Sequence, residues 1–517
     1  MVRQFWRIMR NFEEPKSKQF KVFMVGYRSS RQPLPALVAL ELDAVTGAPI
    51  FRQIARQLRE KIVSKVLPAG SRLPPSRDLA IQLAVARNCV VDAYDELIAE
   101  GILEGRGRHG TFVVASVPIV RDVAIGPSWS PLLLQRMSDG ALGAPGRPDT
   151  AALDWRPGQA SAWTLPLGVW RAACREAGRN LPPHGYGDPR GEPGLRRAIA
   201  DWLYEHRSVD VGPEQVVITH GTGHALYLVA QALLHGGDLC ALEDPGYAGA
   251  KLAFQRSGAT LRYVPVDAEG VVVDRIVEND AAPVLVHVTP THQYPMGGRL
   301  SGSRRRALVD LARTRGMLIL ENEYDCEFHY AGTNHPPIFN YAPESALLLN
   351  TFAKAVSPSL RLGFIVAPPI AAAALVTLIE RERTHVSWPV QKIVETLLLS
   401  GELDRHLRRV RRHYAAMRNV IRERLTPYAD VVNLGGDEGG LHVVISGRNG
   451  TFDRDLRAAL RSHGVLFNDV CDFSTLESDA SGFLLGYGHM ESKALTQSLD
   501  VFETCVRQIK RRDHRSR

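Results

Sequence analysis

The stretch LLLNTFAKAVSPSLRLGF, Leu347–Phe364, joins an apolar, strand-like run to a polar loop that carries a single lysine, Lys354. Thr351 lies three residues before that lysine and Arg361 seven residues after it. The chain turns polar where a strand should end, and strand ends of parallel sheets are where α/β proteins place their chemistry. Further apolar runs flank it: VVIT, LCALED, VLVHVTP and MLILEN, separated by helical segments such as GLRRAIADWLYEH and HALYLVAQALL. Alternation of this kind predicts an α/β domain built on a mainly parallel sheet.

Two other strand ends stand out. VVITHGTGHAL reads strand, glycine loop, helix, so Gly221, Thr222 and Gly223 leave free N–H groups at a helix start, where a phosphate is stabilised. LILENEYDCEF, Leu318–Phe328, closes an apolar strand with Glu321, Glu323, Asp325 and Glu327 around one amide, Asn322. If the strand stays extended there, Glu321 and Glu323 point away from the face that Asn322 presents. A lysine beside fixed cations can attack an aldehyde, and a hydroxyl with a guanidinium suits a phosphate. Lys354, Thr351 and Arg361 therefore suggest a ligand carrying both groups, pyridoxal phosphate.

At 517 residues the chain exceeds a single core of roughly 250 to 300 residues. Hydrophobic content of 45% and charged content of 23% are ordinary for a folded protein and exclude a wholly disordered or fibrous class. No apolar run reaches the roughly 18 residues of a membrane span, and the basic N-terminus lacks a signal-peptide core, so a cytoplasmic protein is expected. Its six cysteines have no paired spacing, and no His, Cys, Asp and Glu set has metal-ligand spacing, so no metal is expected. His184, His287 and His329 are expected to be structural.

The charge is uneven. Residues 1–116 hold 18 Lys and Arg against 11 Asp and Glu, which accounts for +7 of the total of +8. A polyanion partner belongs at this end. After an extension over 1–45, PIFRQIARQLREKIVSKVL repeats Ile50, Ile54, Leu58 and Ile62 along one helical face. Prolines break the chain, and Ser76 is expected to cap SRDLAIQLA; a second short helix follows from Asn88 to Leu97. These helices make a helix-turn-helix, with Arg77 and Arg87 at helix starts where phosphates are met. The hairpin EGRGRHGTF adds Arg106, Arg108 and His109 as a wing. Residues 116–150, rich in Pro, Gly and Ser, read as a linker between a DNA-binding domain over 46–115 and the α/β domain over 151–517.

The segment Pro49–Val113, with PIFRQI, GSRLPPSRDLA, ARNCV and AYDELIAEG in order, resembles the winged-helix domain of the GntR family. Ala86 and Cys89 depart from the small hydroxyl residues often found near the recognition helix. From about residue 153 onward, YGDPRGEPGLRRAIADWL, ITHGTGHAL, LEDPGYAGAK, VTPTHQYPMGGRLS, ENEYDCEF and TFAKAVSPSLRLGF resemble fold-type I aminotransferases. The two together are similar to the MocR subfamily of GntR regulators.

That resemblance implies that Lys354 carries pyridoxal phosphate in a Schiff base and that Thr222, Thr351 and Arg361 join its phosphate cup. It further implies that Tyr247 lies against the ring, Tyr324 bonds the ring's phenolic oxygen, and His292 and Gln293 line its edge. Tyr186 would reach the phosphate of a neighbouring subunit in a homodimer. Asn322 stands where related proteins keep an Asp that holds the ring nitrogen protonated. The arginine that usually clamps a substrate carboxylate is missing from SGFLLGYGHM, and Ala248 and Gly249 after Tyr247 supply none. The expected function is regulation of promoter DNA by a domain that senses pyridoxal phosphate, an amino acid or an amine; a true aminotransferase is the alternative. Met24 is a second possible translation start.

Overall fold

The structure, a computed structural model, describes residues 40–42, 48–114, 153–160, 165–330, 335–436, 439–476 and 481–515. The chain separates into two compact units, 1–146 and 147–517. Most of the expected extension and all of the expected linker lie outside the described residues.

In the first unit, helix α1 (Ile50–Val63) buries Ile54, Leu58 and Ile62, the stripe expected from the four-residue repeat. Helices α2 (Ser76–Leu83) and α3 (Arg87–Ala99) follow, and Val90, Tyr94 and Leu97 of α3 close on that stripe in one core. Each fully buried leucine here contributes about 1.5–3 kcal/mol relative to exposure. The turn between α2 and α3 passes through Ala84 at φ 55°, a left-handed conformation that re-aims the chain within a few residues. Strands β1 (Leu103–Gly105) and β2 (Thr111–Val113) pair antiparallel around a tight turn at Gly107–His109, where Gly107 has φ 54° and Gly110 φ 102°.

One expectation fails here. Ser76 is not the cap of α2: Pro75 occupies the N-cap position, no side chain caps the helix, and Ser76 is its first residue. A proline at that position already fixes the extended entry, and the Ser76 hydroxyl instead accepts from Arg87 Nε at 3.4 Å.

In the second unit, β3 (Leu153–Asp154) precedes β4 (Val216–Thr219), β5 (Leu239–Asp244), β6 (Thr260–Asp267), β7 (Gly270–Val271), β8 (Leu285–Val288), β9 (Leu318–Glu323), β10 (Ala346–Thr351) and β11 (Gly363–Val366). The last eight form one sheet in the order β4-β11-β10-β9-β8-β5-β6-β7. Strands β10, β9, β8, β5 and β6 pair parallel with one another, whereas β11 is antiparallel to both β10 and β4, and β7 is antiparallel to β6. Strands β4, β5, β8, β9 and β10 are almost entirely buried, which is why they read as continuous apolar runs rather than alternating ones. A three-stranded antiparallel sheet, Val432–Gly435, His442–Gly447 and Phe483–Gly486, carries the C-terminal part with helices Gly450–Ser462 and Ser492–Arg515. Among the described residues no helix is long and apolar enough to cross a membrane.

Candidate cofactor pocket and DNA-reading surface

The carboxyl ends of β4, β9 and β10 converge on a cavity of about 360 Å³. Gly221, Thr222 and Gly223 line it from the β4 loop, with Tyr247 from the loop after β5. Asn322 and Tyr324 enter from β9, and Thr351, Lys354 and Arg361 from the stretch after β10. Nine of the twelve residues expected around the cofactor therefore meet in one place. Tyr186 does not line this cavity: it is 66% exposed, its ring packs on His385 at 5.5 Å, and the Arg383 guanidinium lies over it at 5.2 Å.

Local geometry explains the gathering. Gly221 has φ 81° and stands as N-cap of helix Thr222–Leu233, so the chain turns sharply and aims the first helical N–H groups at the cavity. Thr351 ends β10, and its Oγ1 accepts from Ala353 N at 3.2 Å, capping the single helical turn that carries Lys354. Arg361 takes a left-handed backbone, φ 49°, which turns its guanidinium back toward the glycine loop; a Cβ added at Gly223 would lie 4.0 Å from Nη2. One end of the cavity thus combines a helix N-terminus, a hydroxyl and a guanidinium.

Lys354 stands in the middle, and its Nζ donates to the Gly158 carbonyl. Burial lowers its pKa from the ordinary lysine value, while the Asp325 carboxylate pulls the other way. Tyr247 is raised by burial, with Arg361 opposing.

At the β9 end the faces separate as strand alternation requires. Glu321 accepts from Ile338 N at 2.7 Å and Phe339 N at 3.1 Å and lies 3.7 Å from Arg305. Glu323 accepts from Thr291 Oγ1 at 2.6 Å and pairs with Arg207 at 3.2 Å. Burial raises Glu321; burial acts on Glu323 too, but Arg207 and Arg305 outweigh it and hold that carboxyl below its usual range. Asn322, on the opposite face, places Nδ2 3.4 Å from His287 Nε2, and its buried Oδ1 has no hydrogen-bond partner. Burial lowers His287 to about 4, so the imidazole is neutral near pH 7 and accepts from the amide.

His292 and Gln293 are not on the cavity wall, contrary to expectation. His292 Nδ1 is 2.9 Å from both Tyr324 Oη and Asp325 Oδ2, behind the ring of Tyr324. Gln293 Nε2 donates to the Pro245 and Tyr294 carbonyls and to Glu243. Both residues brace the wall. His287, expected to be structural, is buried behind the wall and contacts Asn322.

The cavity also contains residues that sequence reasoning did not single out as pocket-lining: Pro157, Gly158, Tyr294, Asp325, Leu441 and His442. Burial lowers His442 to about 3, and its Nε2 donates to Pro295 O at 2.9 Å. Gly486 explains how Pro157 gets there, since a Cβ at Gly486 would meet Pro157 Cα at 2.7 Å. Away from the cavity, Asp469, Cys471 and Asp472 bring ligand atoms within 4.8 Å of one another. Ion pairs from Asp469 to Arg457 and Arg461, with Asp472 Oδ2 accepting from Asp469 N, account for that cluster as a capped turn.

On the first unit, Arg77, Arg87, Asn88, Arg106, Arg108 and His109 are all exposed, and Ser76 is half-buried. Arg77 is the second residue of α2, and Arg87 and Asn88 open α3. Arg106 is partly engaged, 3.2 Å from Glu104 and over the Phe112 ring at 4.9 Å. Exposed Arg72, paired with Phe112 beside the wing, is a further cation that the motif contained and the reading passed over.

A class I and II aminotransferase family model matches residues 157–477, and the model of bacterial regulatory proteins of the gntR family matches 51–113. The chain thus combines a winged helix with an aminotransferase-like domain. It belongs to the MocR-type GntR family of transcriptional regulators. It is 31% identical over 470 residues to the probable rhizopine catabolism regulatory protein MocR of Rhizobium meliloti, covering 89% of this chain and 94% of that one. Identity to the pyridoxine biosynthesis transcriptional regulator PdxR of Corynebacterium glutamicum is 34%, covering 79% and 85%. Among solved structures, the Thermus thermophilus α-aminoadipate aminotransferase LysN, complexed with a phosphopyridoxyl-leucine, superposes with a TM-score of 0.62 at 25% identity, covering 69% and 92%. An archaeal alanine:glyoxylate aminotransferase gives 0.64 at 22%, covering 73% and 94%.

Proposed function

We propose that this regulator holds pyridoxal phosphate in the cavity and changes its grip on promoter DNA when a small molecule arrives there. The observation that carries this reading is the convergence of Gly221, Thr222, Gly223, Thr351 and Arg361 at one end, Lys354 in the middle, and an unpartnered Asn322 Oδ1 opposite. The donor set fits a phosphate dianion, the lysine fits an aldehyde, and the free amide oxygen fits a protonated ring nitrogen. When bound, the cofactor supplies an electron sink and an electrophilic carbon. Asn322, being uncharged, holds the ring nitrogen's proton less firmly than a carboxylate would.

The helices over 46–115 present Ser76, Arg77, Arg87 and Asn88 to a major groove, with Arg106, Arg108 and His109 on a wing; 116–150 links them to the effector domain over 151–517. Tyr186, exposed and stacked under Arg383, faces a second copy in a homodimer and reaches the partner's phosphate end. The protein works in the cytoplasm, on the nucleoid when bound to DNA. Coupling requires that the ligand bind two arrangements of the protein with different affinity.

The test is an absorbance titration of the full chain with pyridoxal phosphate, repeated with Lys354→Ala, alongside promoter binding. A lysine-dependent visible band and a shift in DNA affinity are expected. The competing reading, a working aminotransferase, is favoured by the domain's fold; steady turnover of an amino acid with a 2-oxo acid at roughly 1 per second or faster would establish it.

A further inference from the structure

Resting on the cofactor reading above, the charges facing the cavity define which effector it accepts. Arg361 belongs to the phosphate end, beside Gly221 and Gly223. The remaining cation on the described wall is Lys354, whose ammonium donates to the Gly158 carbonyl and is balanced by Asp325. Asp325 is 3% exposed, and its Oδ2 is held 2.9 Å from His292 Nδ1. His442, on the same wall, is a neutral imidazole. Phe483, in the SGFLLGYGHM segment that lacks an arginine, is fully buried with its ring 6.1 Å from Trp155 and 4.8 Å from Phe467. Arg156, next to the wall residue Pro157, is tied to Asp154 at 2.7 Å.

A carboxylate brought beside the ring would therefore meet Asp325 and, with Arg361 given to the phosphate end, find no further guanidinium on the described wall. Desolvating an unpaired carboxylate next to a like charge is unfavourable. A primary amine with an uncharged or cationic remainder meets no such penalty. We infer that the effector is a primary amine carrying no carboxylate, and that Asp325 is the residue that excludes acidic ones. The amine exchanges with Lys354 at the aldehyde carbon: one carbon–nitrogen double bond replaces another. Lys354 Nζ, released from that carbon, takes up the three hydrogens that the incoming ammonium loses and leaves as an ammonium, and nothing is oxidised or reduced.

The experiment titrates the cofactor-loaded full chain with three four-carbon amines, 1,4-diaminobutane, 4-amino-1-butanol and 4-aminobutanoate, following the visible spectrum of the bound cofactor and promoter binding. Both non-acidic amines should bind at least about tenfold more tightly than the carboxylate. Asp325→Asn, provided that it retains the cofactor spectrum, should shrink the gap by about that factor. The wild-type comparison stands without the variant if the variant does not fold. Equal or tighter binding of 4-aminobutanoate overturns the inference, including the case where a second copy supplies a cation. An unchanged gap in Asp325→Asn overturns the assignment to that residue. A promoter response to pyridoxal phosphate alone that no amine alters also overturns it, while leaving the cofactor reading intact. Failure of pyridoxal phosphate to give any lysine-dependent band defeats both.

Discussion

The winged helix and the cavity use arginine in opposite ways. Arg77, Arg87 and Arg108 stand exposed on short helices and a wing, each free to meet a phosphate that the protein does not itself provide. In the second unit Arg207 and Arg305 are buried against Glu323 and Glu321, and their job ends inside the fold. The first arrangement gives salt-dependent affinity that adds roughly contact by contact. The second gives rigidity: it fixes the β9 end, where the buried Oδ1 of Asn322 is left without a hydrogen-bond partner. Recognition by surface charge tolerates loss of one member, whereas recognition by a preorganised cavity depends on a few atoms.

That contrast sets the order of expected effects. Lys354→Ala removes the lysine of the described cavity wall, and cofactor affinity measured by equilibrium dialysis should fall roughly 100-fold or more, about 2.7 kcal/mol. DNA binding without cofactor should survive, because the reader does not use the lysine.

Next comes pH. Glu243, whose partners Thr289 and Gln293 are uncharged, is pushed up to about 7 by burial, against the bonds from Thr289 and Gln293. A carboxyl whose folded pKa lies above its unfolded value contributes stability that is fully present below the unfolded pKa and lost as pH rises through the folded one. Urea midpoints should therefore decline between about pH 4.5 and 7, by on the order of 2–3 kcal/mol from this group. Glu243→Gln should flatten that decline; an unchanged slope would mean that the buried carboxyl is ionised in the fold.

Arg87→Ala should weaken promoter binding by about tenfold and reduce the slope of log K against log salt by about one. A change confined to one operator sequence would instead make Arg87 a base reader. The smallest shift in affinity is expected for Asn322→Asp, roughly threefold tighter cofactor binding, about 0.7 kcal/mol. Its clearer signature is the ring-nitrogen resonance of isotopically labelled cofactor, which should move toward the protonated position. If that resonance is unmoved, the β9 end does not face the ring.

Much of this was legible because its parts are close together in sequence. Thr351, Lys354 and Arg361 lie within one strand-to-loop string, and Gly221, Thr222 and Gly223 within another, so spacing alone marks them. The strand rule correctly sent Glu321 and Glu323 away from Asn322. What escaped was assembled from distant segments: His442 sits in an apolar run that reads as core, and Gly158 sits in a loop with no motif of its own, while Tyr294 follows His292 and Gln293 in a motif whose spacing does not say which side chain faces the cavity. Asp325 was visible as one acid among several, but only the fold shows that it turns toward Lys354 while its neighbours turn inward. Ser76 was misread because a serine after two prolines looks like a cap, when the proline already occupies that place. His292 and Gln293 were placed one layer too far forward, since order along a loop does not say which side chain faces a cavity.

Occupancy of the cavity through Lys354 should be transmitted to the DNA reader. The most direct measurement is promoter affinity of the full chain and of Lys354→Ala, each with and without saturating pyridoxal phosphate and 1,4-diaminobutane, at one salt concentration. A ligand-dependent change is expected in the wild-type affinity and none in the variant. Equal responses in the two proteins, or no response in either, would contradict it.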